Sequence, residues 1–357
     1  MGIFRDTSLL INYSLIAVLF GNNSRAYFRN LLIHIFHPDG GKVVQPKDDK
    51  KEKRKRSLWE QWDAFYRFCR MYTVTGMVIG VSSVSVLPLT SVGDLSPAFF
   101  VGLLQALIPF VFVNLYVVGL DQLVDFGMDK LNKPDSPLAT GEYSMRQGKA
   151  VVSAFAFTCL GMGIMFQSPP LFIGVLVYFL LGTAYSIQLP LLRWKENPFL
   201  DALCIVGGHG FTIQPAVFYH IQHVLGKPLA FTKSVAFATI FFSFFSVGIA
   251  LFKDIPVFEG DRTSGNRTFC VRHGKKKVFS LCVSILLIAY GFAVVIGASS
   301  SFLVCKIVSV IGHSTLAYIL FIQAKSLNLN DDVATESFYM FLWKLFSAEY
   351  VLIHFMH

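Results

Sequence analysis

Nine stretches of mostly apolar residues, each about as long as a bilayer is thick, run through this chain. They lie near 71–90, 98–120, 149–167, 170–188, 198–219, 233–252, 277–297, 302–322 and 337–356. A helix needs roughly 20 such residues to cross the hydrocarbon core, where every backbone N–H and C=O must be paired internally. The expected fold is therefore an all-α polytopic membrane protein with nine transmembrane helices. The weakest of the nine are the fifth, which holds Asp201, His209 and the pair Gly207-Gly208, and the ninth, interrupted by Lys344 and Glu349. Of 357 residues, 54% are apolar and only 15% charged, too little polar surface to cover a water-soluble core and too much apolar surface for a disordered chain. The six cysteines are scattered without CxxC pairs, so neither a disulfide framework nor a zinc site is expected.

The loops between these spans alternate in charge. Counting loops alternately, one side receives fourteen lysines and arginines, and the other receives Lys227, with Lys233 just inside the next span. Basic loops stay on the cytoplasmic side or its organellar equivalent. The first 56 residues add eleven Lys/Arg against five Asp/Glu. Residues 1–60 are read as a basic arm, with a transit-like, arginine-containing, acid-poor start and a Lys/Arg run suited to anionic lipid rather than nucleic acid.

Acidic residues concentrate in two loops on the basic side. In the first, Asp121, Asp125 and Asp129 are spaced at i, i+4 and i+8, which puts them on one helical face with about 40° of drift per step. Like charges so placed repel unless a cation sits between them. Hard oxygen ligands of this kind suit Mg²⁺. In the second, Asp254 and Asp261 are seven apart and share a face if Pro256 falls in the first turn of a helix. Two acidic patches with lysines and arginines around them have the make-up of a clamp for a magnesium-bound diphosphate.

The run Asp125-Phe-Gly-Met-Asp129-Lys-Leu-Asn-Lys-Pro-Asp-Ser-Pro-Leu-Ala-Thr-Gly-Glu-Tyr-Ser144 resembles the first aspartate-rich motif of the UbiA-type intramembrane aromatic prenyltransferases, in the form of the plant homogentisate and flavonoid branch. Lys253-Asp-Ile-Pro-Val-Phe-Glu-Gly-Asp-Arg262 resembles that branch's second motif. The segments Asp63 to Arg70 and Tyr185-Ser186 through Arg193-Trp194-Lys195 are also similar. The resemblance spans roughly residues 60–357 and implies a prenyltransferase domain over 61–357, with nine helices around a central cavity for prenyl diphosphate and acceptor. Two positions depart from the pattern. Asp121 stands where the family has asparagine, and Val257 where it has aspartate, leaving Glu259 as a substitute ligand.

What the resemblance implies is Mg²⁺-dependent transfer of an allylic prenyl group from its diphosphate to an aromatic carbon of a phenolic acceptor. Asp121, Asp125, Asp129, Asp254 and Asp261 would hold the metal, and Lys133, Arg146, Lys253 and Arg262 the diphosphate oxygens. Arg70, Tyr185, Arg193 and Lys195 are acceptor or pocket candidates, although Arg193 and Lys195 equally suit topogenic charges and Tyr185 an interfacial belt. His209 and His313 lie inside spans, as packing hydrogen bonds or as acceptor contacts. The two departures favour a specialised phenolic acceptor, such as a flavonoid, coumarin, phloroglucinol or phenolic acid, over homogentisate in tocopherol or plastoquinone synthesis. The branch implies a plastid membrane, with the motif loops stromal, and association with other prenyltransferases as a further expectation. Rival classes are a non-catalytic partner of another transferase and a transporter. Transporters, however, place their sites near the midplane in repeated halves.

Overall fold

Without water to pair backbone groups in a bilayer, each apolar run closes its own hydrogen bonds as a helix. The computed structural model describes residues 57–356, and the basic arm and its transit-like start lie outside them. Among the described residues every regular element is helical. From Trp62 onward the chain forms one compact unit.

In chain order the helices are α1 (Leu58–Phe68), α2 (Met71–Val86), α3 (Pro97–Val124), α4 (Phe126–Asn132), α5 (Met145–Met165) and α6 (Pro169–Ser186). Then follow α7 (Pro198–Val206), a π-helical stretch (Gly207–Thr212), α8 (Ile213–Val224) and α9 (Lys233–Phe252). The set closes with α10 (Phe258–Thr263), α11 (Phe269–His273), α12 (Lys275–Ala298), α13 (Leu303–Ser326) and α14 (Asp332–Leu352). Their starts are written locally. Ser96 Oγ accepts from Phe99 N ahead of Pro97, Ser144 and Gln147 form a reciprocal capping box, and Asn197 caps ahead of Pro198, each satisfying N–H groups that the first turn leaves unpaired.

Six of these helices, α3, α5, α6, α9, α12 and α13, are long and apolar enough to cross a membrane, against the nine expected. The other three segments are helical but fall short for separate reasons. Helix α2 has 16 residues, the fifth segment is broken by its π-turn, and α14 carries charge within its apolar run. Glu349 in α14 is nevertheless fully buried, its Oε1 2.7 Å from His313 Nε2 on α13.

Helix α9 is central. Its apolar window is 72% buried, against 17–44% for the other five spans, whose outer faces carry large exposed side chains such as Phe157, Phe292 and Leu303. Close approach of neighbours depends on glycine at Gly174, where an added Cβ would overlap Ala216 of α8. His220 is a fully buried packing group between Ser168 Oγ at 2.8 Å and the Gly102 carbonyl at 3.0 Å.

Candidate active site

The first acidic cluster sits where α3 gives way to α4. The helix stops at Val124, and Asp125 leaves helical geometry at φ −90, ψ 13. The i→i−4 pairing nonetheless carries through, with Asp125 N to Asp121 O at 2.9 Å and Asp129 N to Asp125 O at 2.8 Å. The three carboxylates therefore stay on one face across the break, and cations lie between them. Lys195 Nζ donates to Asp121 Oδ1 at 2.7 Å and also to Asp125. Arg70 places Nη1 3.7 Å from Asp121 and Nη2 3.7 Å from Asp129, while Lys133 Nζ bonds Asp129 Oδ1 at 3.0 Å. Arg193 Nη2 stands 3.6 Å from Asp125.

Both arginines come from left-handed backbone, Arg70 at φ 44 and Arg193 at φ 60. That conformation costs a non-glycine residue on the order of 1–2 kcal/mol. Arg70 occupies the corner between α1 and α2. The corner is held by Gln122 Nε2 on the Phe68 carbonyl at 2.7 Å, which fixes where the guanidinium emerges. Arg67, one turn earlier, anchors the loop of the first motif through Asp135 O at 2.7 Å and through Glu142.

The second cluster differs from its expected form. Residues 253–257 are turns and α10 begins only at Phe258, so Asp254 and Asp261 do not share a helix. Both carboxylates are buried all the same. Lys253 Nζ bridges Asp254 Oδ1 at 3.0 Å and Asp201 Oδ2 at 3.1 Å. Asp201 was not singled out from the sequence as a site residue. The signal for it was Asn197-Pro198, a helix start that puts Asp201 in the first turn of α7. Tyr185 joins the two clusters, its ring centroid 5.6 Å from Lys195 Nζ and 5.9 Å from Lys253 Nζ.

Three expected residues lie apart from this centre. Arg262 and Glu259 pair with each other at 2.8 Å on the exposed side of α10, with side chains 63% and 55% exposed. A three-residue step on a short helix lets them satisfy one another in solvent, away from Asp261. Arg146 is exposed in the first turn of α5. Val257, the departure in the second motif, precedes α10, and its carbonyl accepts from Asp261 N at 3.0 Å.

Negative charge is in excess here. Burial, and then the Asp121 charge, push the Asp125 carboxyl above the usual range, against the pull of Lys195. Burial and then Asp254 push Asp261 up to about 6, while Lys133 of the first motif acts in the opposite direction. Burial works against the charge on Lys253, but Asp201 and Asp254 outweigh it and hold the ammonium well above the usual lysine range. Asp125 Oδ1 and Asp129 Oδ2 are buried with no hydrogen-bond partner, an arrangement that invites a further cation. Among the described residues no three His, Cys, Asp or Glu groups converge as a ready-made metal cage. Mg²⁺ does not require one, because it is held by one or two carboxylates together with waters and substrate phosphates. The donor set fits that ion.

Buried carboxylates held by lysines at the end of a helical membrane bundle, under an apolar interior, define a membrane-embedded enzyme that handles a polyanionic group. The chain belongs to the UbiA prenyltransferase family, whose model matches residues 75–345. It is 47% identical over 313 residues to homogentisate phytyltransferase 1, chloroplastic, of Arabidopsis thaliana, covering 87% of this chain and 80% of that protein. It is 45% identical over 300 residues to coumarin 8-geranyltransferase 1, chloroplastic, of Citrus limon, covering 84% and 74%. The fold is similar to that of a UbiA homologue from Archaeoglobus fulgidus solved with GPP and Mg²⁺. The TM-score there is 0.54 at 17% identity, over 81% of this chain and 99% of that one.

Proposed function

We propose that this protein transfers an allylic prenyl group from its diphosphate to an aromatic carbon of a phenolic acceptor, with Mg²⁺ bound at the two carboxylate clusters. The observation that carries this reading is the junction at Tyr185, where Lys195 on the Asp121–Asp125 pair and Lys253 on the Asp201–Asp254 pair meet one aromatic ring. Asp121, Asp125, Asp129, Asp254 and Asp261 would hold the ion, with Asp201 beside them. Bound there, Mg²⁺ supplies positive charge to the diphosphate as that group departs. Lys195, Lys253, Lys133, Arg70 and Arg193 are the donors within reach of its oxygens. The arginines offer a planar fork and the lysines a point charge. Arg146, Arg262 and Glu259 have no place in this assignment. The aromatic interior above the carboxylates excludes water, which would otherwise capture an allylic cation, and ring faces stabilise positive charge.

Two acceptor classes have support: homogentisate, from the Arabidopsis relative's name, and a specialised phenolic, from the Citrus relative's name. The names of both relatives also support a plastid membrane. We place the motif loops on the stromal side, on the strength of their excess lysine and arginine. We count nine passes, since the three remaining segments are also helical, and read residues 1–60 as an arm preceding the enzyme domain at 61–357.

The test is direct. Membranes bearing the chain are incubated with dimethylallyl, geranyl, geranylgeranyl and phytyl diphosphates against a panel of phenols, with Mg²⁺ or EDTA. A C-prenylated product lost with EDTA is the expected outcome. No product across the panel from folded protein would overturn the reading in favour of a non-catalytic partner.

A further inference from the structure

Of the three histidines within the expected spans, His354 pairs with Ser83 Oγ at 2.9 Å, and the structure separates the roles of the other two. His313 is fully engaged, with Nδ1 2.6 Å from the Ser309 carbonyl and Nε2 2.7 Å from Glu349 Oε1. His209 stands in the π-helical stretch Gly207–Thr212 and lines a cavity of about 120 Å³ together with Thr73, Gly76, Asn114, Tyr178 and Trp343. Among the described residues its ring nitrogens enter no hydrogen bond, and only its backbone carbonyl is used, by Gln214 Nε2 at 2.7 Å. Aromatic rings meet the imidazole edge to face, with centroids at 5.8 Å for Tyr178, 5.7 Å for Trp343 and 6.3 Å for Phe346.

The cavity adjoins the carboxylates. Thr73 is three residues from Arg70 on α2 and Val118 three from Asp121 on α3, so both lining helices reach the charged centre within about one 5.4 Å turn. The local backbone is built for this position. A π-turn shifts the register of the helix, and such turns recur at functional sites. Gly210 lets the break press against α9, because a Cβ there would lie 2.7 Å from Ser243 Cα.

We propose that this cavity takes the ring of the aromatic acceptor, a single-ring phenol, with its hydroxyl hydrogen-bonded to His209. The proposal rests on the transferase reading above and names its acceptor class. A prenyl tail in the same space would leave the imidazole buried against hydrocarbon without a partner, which is unfavourable, whereas a phenol satisfies it. Size points the same way. Its volume is close to the ~150 Å³ of an apolar cavity that takes up one benzene, which matches one aromatic ring. The aromatic walls suit a flat guest.

The experiment uses the full chain in lipid nanodiscs, with homogentisate and simpler single-ring phenols as one probe set and naringenin as the multi-ring probe. Acceptor affinity is measured by titration calorimetry, and KM by turnover. Under the proposal a single-ring phenol binds more tightly than naringenin. His209→Phe weakens it tenfold or more, His209→Asn only a few-fold, and KM for the prenyl diphosphate moves less than twofold. Gly76→Val, at a glycine that lines the same cavity and where an added Cβ meets nothing within 4 Å, carries the test if His209→Phe does not fold, and the same acceptor-selective loss is expected. Unchanged acceptor affinity with a raised prenyl diphosphate KM would assign the cavity to the tail and overturn the proposal. So would tighter binding of naringenin. A wild-type protein that turns over no acceptor removes the transferase reading itself, whereas turnover with His209→Phe unaffected removes this inference alone.

Discussion

Lys195 Nζ lies 2.7 Å from Asp121 Oδ1 and also bonds Asp125, so one ammonium ion ties together two carboxylates a helical turn apart. All three side chains are largely buried, at 10–18% exposure. Two like charges that close would otherwise force one carboxyl to take up a proton. The lysine opposes that uptake without cancelling it, since Asp125 stays above the usual carboxylate range, and it holds both side chains in place.

Lys195→Met keeps the side-chain length and removes the charge. Leaving buried carboxylates without their partner costs about 3–5 kcal/mol, and the melting temperature in nanodiscs should fall accordingly. Added Mg²⁺ should then raise the melting temperature of the variant by more than that of the wild type. Equal melting of the two proteins would show that the pair carries no stability.

Asp125→Asn keeps the shape of the side chain and removes a charge whose Oδ1 has no hydrogen-bond partner. If this group holds the cation opposite the leaving diphosphate, kcat should drop by about 10²–10³, the usual effect of losing one fixed electrostatic stabiliser. Single-turnover product formation measures it. A variant with wild-type kcat would remove Asp125 from the reaction.

At the opposite end of the bundle, Lys227 Nζ binds Asp94 Oδ2 at 2.6 Å and the Pro88 carbonyl at 2.9 Å. The hydrogen bond from Lys227, then the Thr90 backbone N–H, hold the Asp94 carboxyl well below the usual carboxylate range. A carboxylate depressed in the folded state binds its proton later than in the unfolded chain. Its stabilisation is therefore present above about pH 4, the unfolded value, and is lost as the pH falls further. Wild type and Asp94→Asn should differ in melting temperature at pH 7 and draw together below about pH 4. A constant difference across that range would assign the effect to shape rather than charge.

Gly174→Ala sets a new methyl against Ala216 Cβ, which has no rotamer to move into. Helices α6 and α8 must separate, at a cost of about 1–3 kcal/mol. Gly161→Ala, where nothing lies within 4 Å of the new methyl, should instead gain about 0.5–1 kcal/mol from better helix propensity. Thermal melts of the two variants should move in opposite directions.

The sequence by itself determined the helical membrane class and the places where acid and base concentrate. Both are local properties. Apolar runs are read along one segment, and Asp121, Asp125 and Asp129 are spaced by four residues whatever surrounds them. Tertiary structure decided which charges meet. Lys195 reaches Asp121 and Asp125 across 74 and 70 residues of chain, and no spacing rule connects them. Arg262 has the right charge and the right motif, yet a partner three residues away on a short helix turns it to solvent. Asp201 joined the centre only because α7 packs beside the turn that carries Lys253. His209 and His313 are alike in sequence, both polar groups inside apolar runs. Glu349, 36 residues from His313, takes one of them into the packing, and the other is left facing a cavity. In a low-dielectric interior, the energy of a polar group depends on the partner that three-dimensional packing supplies.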